Sequence, residues 1–187
     1  MNDEKLQLES FAAWVLAAQI AVATGTGVSN AESLSVRQIA AEISRHNKEH
    51  FVLLDKDGKV VAAGSGERNG IGFSREILTL LRNPQSQLTL VHNHPEETSL
   101  SRRDIDLFQQ SPGLTSLNAV TPNRIYTISW ARSDVWTQYN QRYSEREDQL
   151  RRTLKPADFN AAMHKVAHEV MTELHKKGIV KYSVTRY

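Results

Sequence analysis

The residues of this chain best suited to chemistry lie between Val91 and Asp104, in the run Val91-His92-Asn93-His94-Pro95 and the later Ser101-Arg102-Arg103-Asp104. His92 and His94 are two apart at the end of the apolar run Leu88-Thr89-Leu90-Val91, so the period-two geometry of a strand points both rings to one face. Pro95 ends the ladder. Beyond a short loop, Ser101 and Asp104 stand three apart at the start of a helix and are neighbours on one side of it. Asp104 can therefore bring an anionic third ligand to the two imidazoles. A His-His-Asp set leaves the fourth position of a tetrahedral zinc open, as in catalytic rather than structural sites. Zinc there lowers the pKa of a water to about 7 and polarises a carbonyl, which brings hydrolysis within reach at neutral pH. Such chemistry also needs a carboxylate close to the metal, to take the water's proton and hand it to the leaving amine.

The elements that must hold these groups follow from periodicity and punctuation. Leu88 to His92 reads as a short buried strand, and Ser101 opens a helix that runs to about Gln110 and is closed by Ser111-Pro112-Gly113. Upstream, Phe51-Val52-Leu53-Leu54, the turn Asp55-Lys56-Asp57-Gly58 and Lys59 to Ala63 predict a β-hairpin. A helix capped by Ser74 and stopped near Arg82 by Asn83-Pro84 links that hairpin to the His strand, which indicates an α/β layer. Downstream, Leu117 to Val120 and Arg124 to Trp130 flank the turn Thr121-Pro122-Asn123 as a second hairpin. Helices are expected over 3–23, from Ser35-x-x-Gln38, a capping box, to His46-Asn47, over 134–153, and from about Ala157 to Lys177 before Gly178. Residues 179–185 can add a strand. The chain thus divides into an N-terminal helical arm (1–47), an α/β core (48–133) and a C-terminal helical extension (134–187).

Composition narrows the classes further. The chain has 187 residues, seven His and no Cys, so disulfide scaffolds, thiolate zinc sites, iron-sulfur clusters and thiol nucleophiles are excluded. The balance of 23 Lys+Arg against 21 Asp+Glu, a net charge of +2, is too small for a surface built around nucleic acid. The most apolar stretch, Phe11 to Ala23, is interrupted by Gln19 and falls short of the roughly 20 residues of a membrane span. Asp3, Glu4 and Glu9 outweigh Lys5, against a secretory signal. Cytoplasmic residence is the expectation, and a leaderless secreted effector has the same composition. The apolar face of the first helix could pair with a second copy.

The motif His92-x-His94-Pro95 followed by Ser101-x-x-Asp104 resembles the signature of the JAMM (JAB, MPN-plus) zinc metallopeptidases. The wider stretch is closest to their RadC-like branch, through Glu49-His50-Phe51-Val52-Leu53-Leu54-Asp55, Phe73-Ser74-Arg75-Glu76-Ile77 and the His-Asn-His-Pro segment. It covers roughly residues 48–130. The resemblance implies an α/β fold, a cytidine-deaminase-like mixed sheet with packed helices. It implies zinc on His92, His94 and Asp104, Glu49 as the general acid/base, and Ser101 as the group that helps hold the intermediate's oxygen. The implied substrate is a protein or peptide, with ubiquitin-like conjugates in the class. The family's usual spacing has seven residues between the second His and the Ser; Pro95 to Leu100 is six, and this loop carries Glu96-Glu97.

Other readings compete. His-x-His recurs by chance and Ser-x-x-Asp is an ordinary helix cap; only their ordered combination points to a metal. A RadC-like module without catalysis, or one associated with DNA, would use the same fold, and a toxin or mobile-element effector would use the same site. Glu67 is the substitute base should Glu49 point away. His164, His168 and His175 on the last helix offer a second metal candidate, but without His-Glu-x-x-His they read as a solvated or partner-facing stripe. Asp55-x-Asp57-Gly58 lacks the further ligands of a calcium loop, and Gly64-Ser65-Gly66 lacks the Lys-Ser/Thr of a phosphate loop. Trp130 and Trp136 read as anchors of the C-terminal extension. Arg102 and Arg103 read as a solvated helix face, or as groups that orient an acidic substrate or a C-terminal carboxylate.

Overall fold

The structure, a computed structural model of the chain, describes Ala13 and residues 35–66, 72–95 and 98–186. The expected first helix and its pairing face, Glu67 and Glu96-Glu97 lie outside the described residues, apart from Ala13. Six strands form one sheet: β1 (His50–Leu54), β2 (Val60–Ser65), β3 (Leu88–Asn93), β4 (Leu114–Thr121), β5 (Arg124–Ala131) and β6 (Val180–Arg186), in the order β2-β1-β3-β4-β5-β6. All neighbours are antiparallel except β3 and β4, which run parallel. The sheet is therefore mixed, and the architecture is α/β. The parallel pair is joined by a helix crossover, as the geometry of parallel strands demands.

Five helices pack on this sheet among the described residues: α1 (Val36–Ile43), α2 (Arg75–Arg82), α3 (Arg102–Gln110), α4 (Val135–Thr153) and α5 (Pro156–Lys176). Period-two alternation sorts the strand residues between two faces. Val52, Leu54, Val91, Val120 and Ile125 meet Ile39, Ala40 and Ile43 of α1. Phe51, Leu53, Leu88, Leu90, Leu117, Tyr126 and Ile128 meet Leu100, Ile105 of α3, Val135 and Tyr139 of α4, and Val166, Val170 and Leu174 of α5. Each such side chain contributes about 1.5–3 kcal/mol when fully buried, so the second face carries most of the apolar burial. It is also the face of Leu88 and Leu90, and alternation continues it to His92.

The C-terminal segment is built into this core. After α5, Gly178 takes φ +67, a left-handed conformation that suits glycine, and the chain returns as β6 alongside β5. Trp136 packs edge-on against Phe108 and Tyr139, as an anchor should. Trp130 is 53% exposed and does not serve as one, because the register shift between Ile128 and Trp130 breaks the alternation of β5 and turns Ala131 rather than Trp130 onto the core. Asp55 accepts from the backbone N–H groups of Asp57 and Lys59, both at 2.9 Å, which makes the Asp55 to Gly58 run a plain hairpin turn. Gly113 sits where a Cβ would lie 2.6 Å from the carbonyl oxygens of both Leu80 and Asn83, so only glycine lets β4 start so close to the end of α2.

Candidate metal centre

β3 delivers both histidines. His92 pairs with Phe51 of β1 and Ala119 of β4 in the middle of the sheet. His94 lies just beyond the strand, and its N–H donates to the Val120 carbonyl at 2.7 Å, which extends the ladder by one step. The two rings consequently point the same way, with Nε2 atoms 3.0 Å apart and centroids 4.8 Å apart. Both residues are buried.

α3 delivers the carboxylate. Ser101 is its N-cap: Ser101 Oγ accepts from the Asp104 N–H at 3.2 Å, and the Ser101 N–H donates to Asp104 Oδ2 at 2.6 Å. This reciprocal capping box satisfies two otherwise unpaired backbone donors and fixes the Asp104 rotamer. Its Oδ1 lies 3.1 Å from His92 Nε2 and its Oδ2 3.3 Å from His94 Nε2. His92, His94 and Asp104 form the one group of three or more such side chains placed to hold a metal ion among the described residues. The separations of 3.0 to 3.3 Å match the edge of a tetrahedron with bonds of about 2.0–2.1 Å, which is about 3.3 Å. Two imidazole nitrogens and one carboxylate thus fit a small divalent cation.

Outer hydrogen bonds support that fit. His94 Nδ1–H donates to the Thr98 carbonyl at 2.9 Å; since a carbonyl only accepts, Nδ1 carries a proton, and the ring when neutral turns its lone pair at Nε2 inward. His92 Nδ1 is buried with no partner among the described residues. Charge is tightly coupled here. Burial alone would lower the His94 pKa, but the Asp104 carboxylate, the Thr98 carbonyl and Glu49 outweigh it and push His94 up to about 9. Burial would raise Asp104, yet His92 and His94 hold its carboxyl well below the usual carboxylate range. Without a cation, the carboxylate keeps its own proton donors.

Glu49 stands immediately before β1, half-buried, and its carboxyl interacts electrostatically with His94, His92 and Asp104. Burial pushes its pKa up, and the two histidines pull it part of the way back. The residue that places it escaped sequence reasoning. Asn93, between the two histidines, points to the opposite face of the sheet. Its Oδ1 accepts from the His50 N–H at 2.6 Å, and its Nδ2 donates to the carbonyls of Lys48 at 3.0 Å and His46 at 3.2 Å. The Glu49 carbonyl in turn accepts from the Gly66 N–H at 2.8 Å. A buried amide beside a strand end signals such a role only once its partners are known.

Among the described residues the last helix gathers no second site. His168 Nδ1 is 2.7 Å from the Tyr182 hydroxyl, and His175 Nδ1 is 3.1 Å from the Val180 carbonyl and 3.4 Å from the Tyr182 N–H nitrogen, so both tie α5 to β6. No protein-family model, curated protein or solved structure matches this chain.

Proposed function

We propose that this protein is a zinc-dependent hydrolase of the JAMM type that cleaves an amide or isopeptide bond in a protein or peptide substrate. The observation that carries the reading is the buried His92-His94-Asp104 group with donor atoms 3.0 to 3.3 Å apart, with a half-buried Glu49 within electrostatic reach. The six-stranded mixed sheet with helices on both faces is compatible with the core of that family.

Zinc held by His92, His94 and Asp104 would polarise the scissile carbonyl and acidify a water. The chain's own residues divide the remaining work. Glu49 takes a proton from water as its oxygen adds to the carbonyl carbon, then delivers that proton to the nitrogen as the C–N bond breaks, leaving a carboxylic acid and an amine. A carboxyl raised by burial suits both halves of this task, because it is a stronger base than an exposed glutamate and, once protonated, can hand the proton on as an acid. Ser101 already accepts from the Asp104 N–H, and its hydroxyl proton remains available to the oxygen that gains charge. Asn93 holds the backbone on either side of Glu49 and so keeps that carboxyl at the site.

The test couples metal analysis with a screen of peptide and isopeptide bonds, on wild type and Glu49→Gln. One zinc per chain in both proteins, with chelator-sensitive cleavage by wild type alone, is the expected result. Undiminished cleavage by Glu49→Gln would remove Glu49 from its role, and zinc binding without any hydrolysis would favour the binding-module reading.

A further inference from the structure

A cleft of about 440 Å³ opens beside the metal centre. One wall is the segment 98–102, the same residues that orient the site: the Thr98 carbonyl accepts from His94 Nδ1–H and Ser101 clamps Asp104. The opposite wall comes from α4 and α5, through Tyr143, Asn160, Met163 and His164. The cleft thus shares Thr98 and Ser101 with the hydrogen bonds that hold His94 and Asp104.

Its chemistry is specific. Leu100, Met163 and Ala167 make an apolar lining, and Asn160 supplies an amide. Ser99, more than nine-tenths buried, lines the cleft, and its Oγ has no hydrogen-bond partner among the described residues. No described Asp or Glu lines the cleft, whereas Arg102 does. The Arg102 guanidinium lies 5.1 Å from the centroid of the Tyr143 ring, which orients it as a planar donor. Asp106 Oδ2 pairs with Arg102 Nε at 3.9 Å in an exposed i,i+4 ion pair, too long for a hydrogen bond, so a carboxylate entering the cleft competes only with a weak partner for the planar guanidinium fork.

We infer that this cleft is a substrate subsite for a peptide segment that presents a carboxylate to Arg102 with an apolar side chain beside it. The carboxylate can come from a chain terminus or from an acidic side chain. This deepens the hydrolase reading and rests on it, since the cleft is lined by Thr98 and Ser101, the residues bonded to His94 and Asp104 of the proposed metal centre.

The test uses the full chain carrying Glu49→Gln, with zinc and separately with a chelator, and three fluorescent tetrapeptides built from Leu and Ala. One ends in a free carboxylate, one is amidated and contains Glu, and one is amidated and contains Gln. At least one carboxylate peptide should bind about tenfold more tightly than the Gln amide, and comparison of the first two identifies the source. Arg102→Gln should erase that preference. Asn160→Trp, which fills the cleft from an exposed position, should weaken the preferred peptide, and Arg152→Gln, an exposed α4 change outside the cleft, should not. Equal binding of all three peptides, no binding of any, or a preference that survives Arg102→Gln overturns the inference. Cleavage by wild type is scored separately: carboxylate-selective binding without cleavage sinks the hydrolase reading alone, and cleavage indifferent to the carboxylate and to Arg102 sinks the subsite alone.

Discussion

Two pairs of histidines meet at one end of the sheet, on opposite faces, and their similarity makes their difference instructive. His92 and His94 have ring centroids 4.8 Å apart, and His46 and His50 have theirs 4.4 Å apart. All four residues are buried. Asn93 stands between the pairs, its backbone linking the two ligands and its side chain bonded to the 46–50 segment. Yet protonation is pushed in opposite directions. Burial, with His46 and Lys48 nearby, drives His50 down to about 4, and burial also lowers His46. A carboxylate 3.3 Å away carries His94 up to about 9 despite equal burial. Residue type and burial therefore do not make a cation site; a buried anion placed between the rings does.

The most forceful way to break this contrast is Asp104→Asn, which keeps the shape of the first pair and removes its anion. Metal affinity should fall by at least about 100-fold, more than the 10–100-fold typical of losing an outer partner. Equilibrium dialysis against zinc measures it, and binding within a few-fold of wild type would deny Asp104 its place as ligand.

Next comes the link between the pairs. Asn93→Leu leaves the His50 N–H and the carbonyls of His46 and Lys48 without their partner. At about 1 kcal/mol for each of three hydrogen bonds, stability should drop by about 3 kcal/mol in urea unfolding. Metal binding should suffer less than in Asp104→Asn, because the ligands come from β3 and α3, while any hydrolysis should fall with the loss of Glu49's position.

The pH dependence of stability sharpens the comparison directly. His50 is neutral when folded and protonated when unfolded between about 4 and 6.5, so its contribution is complete above pH 6.5 and is lost as pH falls toward 4, by at most about 3 kcal/mol. His50→Gln should flatten that acid slope. In chelator-treated protein His94 has the opposite sign: its pairing stabilises fully below pH 6.5 and is lost as pH rises through about 9. Asp104→Asn should flatten only this alkaline slope. Thermal unfolding from pH 4 to 10 separates the two, and one shared slope for both variants would contradict the assignment.

The smallest expected effect concerns twin capping boxes. Ser35 with Gln38 and Ser101 with Asp104 close their helices by the same reciprocal bonds. Ser35→Ala and Ser101→Ala should each cost about 1 kcal/mol, but only Ser101→Ala should alter metal affinity or hydrolysis. Equal metal binding and equal activity in the two would reduce Ser101 to a cap.

Much of this was legible in the residues themselves. The strand at Leu88, the Ser74 and Ser101 helix starts, both hairpins and the late helices follow from alternation, capping residues and turn chemistry, which act within a few residues. The candidate ligands were legible for the same reason, since His-x-His and Ser-x-x-Asp are each local patterns. Asn93 was not, because nothing in a His-Asn-His run reveals that its amide reaches back more than 40 residues to the chain around Glu49. Trp130 was misread for a related reason: which face of an edge-proximal strand is covered depends on helices elsewhere.

The sequence by itself therefore determined which groups exist and which way each local element turns them: two imidazoles on one side of a strand, a carboxylate in the first turn of a helix. Only the tertiary structure decided that these sides face each other, that β4 runs parallel beside β3, and that α4 and α5 return to wall a cleft next to the site. The physical reason is range. Backbone periodicity and capping are settled by neighbours in the chain, whereas the donor separations of 3.0 to 3.3 Å arise from a sheet and a helix packing their apolar faces against a shared core.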